Sequence, residues 1–287
     1  TDVADLNYEN MEMREAMRNA MLYWVKECDI DGYRIDQAYA VPVPFYEKTF
    51  AALKEVKDIF LLAETDIYHP GGLPLVSRFD ATYDWPGHGL SKEVAKGRKN
   101  ANDFHRHMER SLRLYGMENI LVNFVANHDE NSWNGTVNES YGAAGNAFMA
   151  LDFTLPGMPL IYSGQEYDLN HRLKFFEKDS IPKTKGATWN LLTKLGDLKN
   201  NHAAFHGGKL AASYERLSTQ NENIVAFKRS KENVDVYFIG NLSNEEQVFS
   251  INLEGNYKDL LQNKNIEFKL DKLTLSPWNY YLVSKNK

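Results

Sequence analysis

Over the first 208 positions, stretches in which hydrophobic residues recur with a helical period alternate with short, continuous apolar runs. Apolar side chains every three or four residues indicate helices, and uninterrupted apolar runs are typical of strands covered on both faces of a parallel sheet. Helices are predicted at residues 11–28, 45–57, 102–115, 141–153 and 188–199. Strands are predicted at residues 32–36, 59–63, 79–85, 120–125 and 160–162. Strands that alternate with helices predict βαβ units and an α/β fold.

From about Lys209 the pattern changes to short segments rich in β-branched and aromatic residues, which favour strands. These segments lie at residues 224–227, 234–239, 247–251 and 280–283. Turn signals at Gly240-Asn241 and at residues 254–256 are expected to separate them. We therefore predict two domains, an α/β domain over residues 1–208 and an all-β sandwich over residues 209–287.

The composition of the 287 residues is that of a globular protein able to bury a core, with 43% hydrophobic and 25% charged residues. A net charge of −6 argues against a nucleic-acid partner, because binding phosphates requires clustered Lys and Arg. No apolar run approaches the roughly 18 residues of a membrane span. The single cysteine, Cys28, cannot form an intrachain disulfide, and its apolar helical surroundings predict a buried, inert thiol.

Several predicted strands begin with apolar residues and finish in ionisable ones. Active sites of α/β barrels and open α/β sheets lie at this C-terminal edge of the strands. The alternative is that polar residues merely mark the point where each strand leaves the core. Carboxyl groups supplied by different strand ends could flank a glycosidic bond, whose hydrolysis requires two of them.

The predicted strand Gly32-Tyr33-Arg34-Ile35-Asp36 places an arginine two residues before its terminal aspartate. Both side chains point to the same side of the strand, so the guanidinium would keep the carboxylate ionised and oriented. The next strand ends in Leu61-Leu62-Ala63-Glu64. A structural Arg–Asp pair at a strand end is the alternative explanation.

Two further segments carry candidate chemistry. Phe124-Val125-Ala126-Asn127-His128-Asp129 follows a buried strand, and its imidazole could donate to or accept from a hydroxyl group. Its alternative is a capping loop without a ligand. The segment Gly157-Met158-Pro159-Leu160-Ile161-Tyr162-Ser163-Gly164-Gln165-Glu166 is predicted to be mostly architectural, with glycines that permit turns.

In order, these four segments resemble the fourth-, fifth-, seventh- and last-strand motifs of the α-amylase family of glycoside hydrolases. The stretch Val3-Ala4-Asp5-Leu6-Asn7 is similar to the Asp-Leu-Asn run that precedes the family's fourth strand. The resemblance implies a (β/α)8 TIM-type barrel that is incomplete at its N-terminus, holding about five of eight strands, followed by an all-β sandwich. The family's first conserved segment, Asp-x-x-x-Asn-His, is absent.

The resemblance implies retaining hydrolysis of α-1,4-glucosidic bonds in starch-like glucans. Asp36 would be the nucleophile, Glu64 the general acid/base and Asp129 the group that stabilises the transition state, with Arg34 and His128 binding the sugar. Aromatic side chains near the strand ends are candidates for stacking on sugar rings, with core packing or simple exposure as the alternative: Tyr39, Tyr83, Trp85 and Trp133. Many α-amylases have Lys-His where Tyr39 and Ala40 stand, so the leaving-group side is expected to differ.

Three alternatives remain: transglycosylation, α-1,6 cleavage, or a non-catalytic glucan-binding fragment. The resemblance implies no required cofactor, although Asp5 matches a position that binds structural calcium in many relatives. The expected partners are an α-glucan or maltooligosaccharide and either the missing N-terminal half or further copies of the chain. Thr1 resembles an internal start, so a targeting signal is expected upstream, with an extracytoplasmic or secreted location.

Overall fold

A computed structural model describes residues 4–286, so Val3 of the stretch Val3-Ala4-Asp5-Leu6-Asn7 lies outside the described residues. The chain divides into two compact units, Thr1–Trp85 and Pro86–Lys287, and each has its own hydrophobic core. Between residues 4 and 286, no helix is both long enough and apolar enough to cross a membrane. The predicted domain boundary between residues 208 and 209 stays a prediction.

The first unit contains two α-helices and three short parallel strands. In chain order these are α1 (Met11–Cys28), β1 (Gly32–Ile35), α2 (Val43–Val56), β2 (Phe60–Ala63) and β3 (Ala81–Tyr83). Strand β2 lies between β1 and β3, with Arg34 opposite Leu62 and Ala63 opposite Thr82. The parallel pairing brings the C-terminal ends of all three strands to one edge, as the sequence pattern predicts.

Gly32 shows how closely β1 and β2 approach each other. A Cβ atom at this position would lie 1.9 Å from the carbonyl oxygen of Phe60, its partner on β2. Only glycine therefore fits at the start of β1 without displacing the neighbouring strand. Beneath the strands, the side chains of α1 and α2 pack against those of β2 in one core, which includes Met21, Leu53 and Leu61.

The second unit begins with an α/β part. Its elements are α3 (Trp85–Ala95), α4 (Ala101–Tyr115), β4 (Ile120–Asn123), α5 (Val137–Tyr141), α6 (Gly145–Thr154), β5 (Met158–Pro159) and α7 (Ala187–Asn201). Strands β4 and β5 pair in parallel. Helix α4 begins at a capping box, in which the Asn100 side chain accepts from the backbone N–H of Asp103 and the Asp103 carboxylate accepts from that of Asn100.

An all-β region completes the second unit. Its strands are β6 (Glu215–Arg216), β7 (Ile224–Lys231), β8 (Val234–Asn241), β9 (Gln247–Phe249), β10 (Gly255–Asp259), β11 (Asn265–Phe268), β12 (Leu273–Leu275) and β13 (Tyr280–Asn286). Six of them form an antiparallel sheet in the order β11-β10-β13-β8-β7-β6, and β12 pairs with β9 in a second sheet. Buried side chains from both sheets, among them Ile239 and Phe249, share one core. The predicted combination of parallel strands, helices and an all-β region is confirmed, and the incomplete barrel stays a prediction.

Several predicted boundaries are wrong for identifiable reasons. The helix predicted at residues 141–153 is interrupted between α5 and α6, where Gly142 has a φ of +51° that few other residues adopt. The strand predicted at residues 160–162 lies two residues earlier, at β5, although the Leu160 N–H still donates to the Asn123 carbonyl at 2.9 Å. The strand predicted at residues 79–85 is limited to β3, since Trp85 already starts α3.

The turn predicted at Gly240-Asn241 is also wrong, because both residues belong to β8. The buried Asn241 side chain instead donates hydrogen bonds to the carbonyls of Leu275 and Ser276, at 3.0 and 3.1 Å. At the second predicted turn, residues 254–256, β10 begins with Gly255. The expectation of a buried Cys28 thiol is wrong as well, since this residue is the exposed last residue of α1.

Candidate functional site

The first unit brings Arg34, Asp36 and Glu64 together at the ends of β1 and β2. Arg34 Nη1 contacts Asp36 Oδ1, and Arg34 Nη2 lies 3.0 Å from Glu64 Oε1 in an ion pair. One guanidinium is therefore shared between two carboxylates. The Asp36 side chain is 69% exposed and that of Glu64 only 14%, so the two acids differ in their access to a ligand from solution.

Backbone hydrogen bonds hold Glu64 in place. Its Oε2 accepts from the N–H of Gln37 at 2.8 Å, and its carbonyl accepts from the N–H of Ala38 at 3.2 Å. The Glu64 N–H in turn donates to the Ile35 carbonyl at 3.0 Å. Gln37 adopts the left-handed conformation, with a φ of 39°, so the chain turns sharply just after Asp36. The Glu64 carboxylate is thus fixed to the turn that carries Asp36.

The environment of Arg34 keeps its charge. Burial opposes the positive charge, but hydrogen bonds to Asp36 and Tyr83 and the charge of Glu64 outweigh it and raise the pKa of Arg34. The guanidinium carbon also lies 5.9 Å from the centroid of the Tyr83 ring, within the range of a cation–π contact. Arg34 is therefore a permanent cation at this site.

The predicted aromatic residues of the first unit have different surroundings. Tyr83 is buried and stacks on Trp85, with ring centroids 5.7 Å apart. Tyr39 lies just after the Gln37 turn, in the 3₁₀ helix Ala38–Ala40, and stacks on His69 with centroids 3.5 Å apart. Tyr83 thus reaches the acidic cluster through Arg34, while one face of Tyr39 is covered by an imidazole.

In the second unit, His128 and Asp129 lie just beyond the end of β4. His128 Nε2 is 3.4 Å from Asp129 Oδ2, and both side chains are partly exposed. Asn127 is buried, and its Oδ1 accepts from the backbone N–H groups of Asp129 and Glu130 at 3.0 and 2.8 Å. Asn127 therefore shapes the turn that presents His128 and Asp129.

A charged cluster next to Asp129 is not apparent from the sequence. Glu130 Oε2 lies 2.9 Å from Nε2 of the buried His88 and 2.6 Å from Nζ of Lys92. Burial tends to raise the pKa of Glu130, but these two partners outweigh it and lower the pKa to about 2. His88 and Lys92 lie on α3, far from Glu130 along the chain, so no local motif signals their contact.

Within residues 4–286, no group of three or more His, Cys, Asp or Glu side chains is arranged to hold a metal ion. Asp5, the predicted calcium ligand, is exposed. The assignment of Asp5 to a calcium site stays a prediction.

The order of the motifs along the chain, followed by an all-β region, resembles that of the α-amylase class of glycoside hydrolases. The family model of the α-amylase catalytic domain matches residues 1–61. α-Amylase 3 of Dictyoglomus thermophilum is 23% identical and aligns with 99% of this chain and 64% of its own length. A cyclomaltodextrinase of Thermoanaerobacter pseudethanolicus is also 23% identical, over 96% of this chain and 48% of its own.

The fold resembles that of a solved α-amylase structure. A maltogenic α-amylase of Thermotoga neapolitana superimposes with a TM-score of 0.87 at 24% identity, covering all of this chain and 69% of that one. The resemblance of this chain to the α-amylase family, inferred from its motifs, is therefore confirmed along its whole length. The chain spans about half to two thirds of the length of these curated relatives.

Proposed function

We propose that this protein is a retaining glycoside hydrolase that cleaves α-1,4-glucosidic bonds in starch-like α-glucans. The observation that carries the proposal is the Arg34 guanidinium between Asp36 and Glu64, at the ends of neighbouring parallel strands. Retaining glycosidases need one carboxylate as nucleophile and a second carboxyl group as acid/base. The relatives named as α-amylases and a cyclomaltodextrinase support the substrate class.

In this mechanism Asp36, the more exposed acid, attacks the anomeric carbon and forms a glycosyl–enzyme ester. Glu64 first donates a proton to the departing glycosidic oxygen. It then takes a proton from the water molecule that hydrolyses the ester. The charge of Arg34 favours the ionised form of Asp36, which the nucleophilic step requires.

The remaining predicted residues bind the substrate in this proposal. Asp129 stabilises the positive charge that develops on the sugar ring, and His128 holds sugar hydroxyls. Tyr39, Tyr83 and Trp85 are proposed to shape the glucan site. A structural calcium at Asp5, and assembly with a further part of the protein or with other copies of this chain, complete the proposal.

The direct test is release of reducing sugar from soluble starch by the wild-type chain and by Asp36→Asn and Glu64→Gln. Asp58→Asn is the matched control, because Asp58 is an exposed aspartate of the same unit outside the cluster. We expect turnover to be lost in the two cluster variants and kept in the control. Equal release from wild type and Asp36→Asn would overturn the assignment of the nucleophile.

Product analysis separates the proposal from its alternatives. Proton NMR of the first products should show the α-anomer, as retention requires. Longer glucans among the products would indicate transglycosylation, and cleavage of α-1,6 linkages would indicate a different specificity. No turnover by any form, combined with undiminished starch binding by Asp36→Asn, would indicate a non-catalytic glucan-binding chain.

A further inference from the structure

Three large aromatic side chains form an exposed cluster in the second unit, here called the aromatic platform: Trp133, Phe175 and Phe176. The Trp133 ring centroid lies 5.1 Å from that of Phe175 and 6.0 Å from that of Phe176, and the two phenylalanines are 4.9 Å apart. Trp133 is 55% exposed, Phe175 44% and Phe176 73%. Contiguous exposed apolar surface of this kind marks a binding site far more often than isolated exposed residues do.

The aromatic platform is held by hydrogen bonds rather than by burial. Trp133 belongs to the π-helix Glu130–Asn134, and both phenylalanines lie in a neighbouring segment without regular structure. The Ser132 hydroxyl donates to the Leu173 carbonyl at 2.7 Å, and the Leu173 N–H donates to Asn131 Oδ1 at 2.8 Å. These bonds fix the irregular segment to the π-helix on the N-terminal side of the phenylalanines.

Two further sets of polar contacts restrain the same segment, one to helix α5 and one within the segment itself. Arg172 donates to both carboxylate oxygens of Glu139, with its Nε 2.9 Å from Oε2 and its Nη2 3.0 Å from Oε1. Beyond the phenylalanines, Asp179 Oδ2 accepts from the Lys174 N–H at 3.0 Å and lies 2.8 Å from His171 Nε2. The segment is thus bound to α5 and to the π-helix before Phe175 and is closed on itself by Asp179 beyond Phe176, so the exposed rings are preorganised rather than carried by a free loop.

The aromatic platform is continuous with the His128–Asp129 pair. The Phe175 ring stacks beside the His128 imidazole, with centroids 6.4 Å apart and planes 24° from parallel. A glucose ring presents an apolar C–H face suited to aromatic stacking and hydroxyl groups at its rim, and His128 and Asp129 are hydroxyl-binding groups beside the exposed rings. A neutral sugar chain therefore matches both the apolar rings and their polar border.

We propose that the aromatic platform is a subsite that binds a glucose unit of an α-glucan chain next to His128 and Asp129. The inference rests on the proposed function, because it assumes that His128 and Asp129 contact the same glucan. It adds Phe175 and Phe176 to the binding surface and assigns Trp133 a stacking role. The π-helix and the tied segment position the rings, and the rings bind the sugar.

The test is binding of maltoheptaose, measured by titration calorimetry, and of soluble starch, measured by mobility in native gels. We expect Trp133→Ala and Phe176→Ser to weaken binding about three- to tenfold, the range of one lost aromatic contact. Trp133→Phe should retain most of the affinity. The matched control is Trp24→Ala, because Trp24 is also an exposed tryptophan beside another aromatic ring, Tyr23, but belongs to the first unit.

The outcomes separate this inference from the proposed hydrolase function. Weaker binding in Trp133→Ala with an intact Trp24→Ala supports the subsite whether or not starch is hydrolysed. Hydrolysis with unchanged binding in both platform variants would overturn the subsite and leave the hydrolase standing. A platform variant that changes only the oligomeric state, seen by light scattering, would show that another copy covers these rings and would also overturn the subsite. Circular dichroism of each variant confirms that it is folded.

Discussion

Two glutamates with equally low pKa values should differ in what they contribute to stability. Contacts hold the pKa of both Glu130 and Glu139 at about 2. Glu130 is 10% exposed and faces His88 and Lys92, whereas Glu139 pairs with Arg172 on the surface. We therefore predict that Glu130→Gln destabilises the protein and that Glu139→Gln has a much smaller effect. Glutamine keeps the size of the side chain, removes its charge and replaces one acceptor oxygen by an NH2 donor.

The magnitude for Glu130 follows from its pKa. A fall from the ordinary value of 4.5 to about 2 corresponds to roughly 3 kcal/mol, because each pKa unit is about 1.36 kcal/mol. The Lys92 side chain is 20% exposed, so water screens part of this interaction and about 2 kcal/mol is the expected loss at pH 7. Exposed pairs such as Glu139–Arg172 contribute little, because solvent already satisfies both charges.

Urea unfolding of the wild type and both variants at pH 7, followed by circular dichroism, measures the difference. A folded-state pKa below the unfolded value means that the stabilisation is present above about pH 4.5 and is lost as the pH falls to about 2. The gap between wild type and Glu130→Gln should therefore close over this range. Equal losses in the two variants at pH 7, or a gap that does not change with pH, would refute the reasoning from burial.

Three further predictions concern single positions. Gly157→Ala should lower the free energy of unfolding by about 3 kcal/mol or more in thermal unfolding, because the φ of Gly157 is +107° and a Cβ would lie 2.1 Å from the Leu121 carbonyl oxygen. The control is Gly97→Ala, which should lower it by only about 1 kcal/mol, because Gly97 has a φ of +69° but open space around it. Burial lowers the pKa of Lys199 to about 7. Between pH 7 and about pH 10 the unfolded chain therefore holds a proton on Lys199 that the folded chain has lost, and the free energy of unfolding should rise with pH over this range. A rise of the same size in Lys199→Met would contradict this prediction. Arg34→Lys should lower kcat on starch at least about tenfold, since one ammonium cannot replace a fork that contacts two carboxylates; unchanged kcat would remove Arg34 from the site.

The contacts between residues close in sequence could be predicted from the chain alone. The Arg34–Asp36 contact follows from two side chains on the same side of one strand. The contact of Arg34 with Glu64 does not follow from the sequence alone, because it depends on the register that places Arg34 opposite Leu62. The acids were recognisable from their motifs, but the guanidinium shared between them required the paired strands.

Contacts between residues far apart along the chain could not be predicted from the sequence. Glu130 and Lys92 meet across 38 residues, and nothing in either neighbourhood specifies the other. Phe175 and Phe176 lie in a stretch without helical or strand period, so the pattern alone could not distinguish exposed rings from buried ones. The helix predicted across Gly142 is wrong for a different reason. Gly142 has a positive φ that interrupts the helix, although the apolar residues on either side keep a helical period.

The hydrogen bonds between Glu64 and the Gln37 turn have a kinetic consequence. Because the side chain and the carbonyl of Glu64 both accept from the backbone just after Asp36, Glu64 is fixed to the turn that follows Asp36. Substitutions in the aromatic platform should then alter how tightly a glucan is held while the bond-breaking step keeps its rate at saturation. Across such variants, affinity and maximal turnover should vary independently, and the two would fall together only when the turn itself is disturbed.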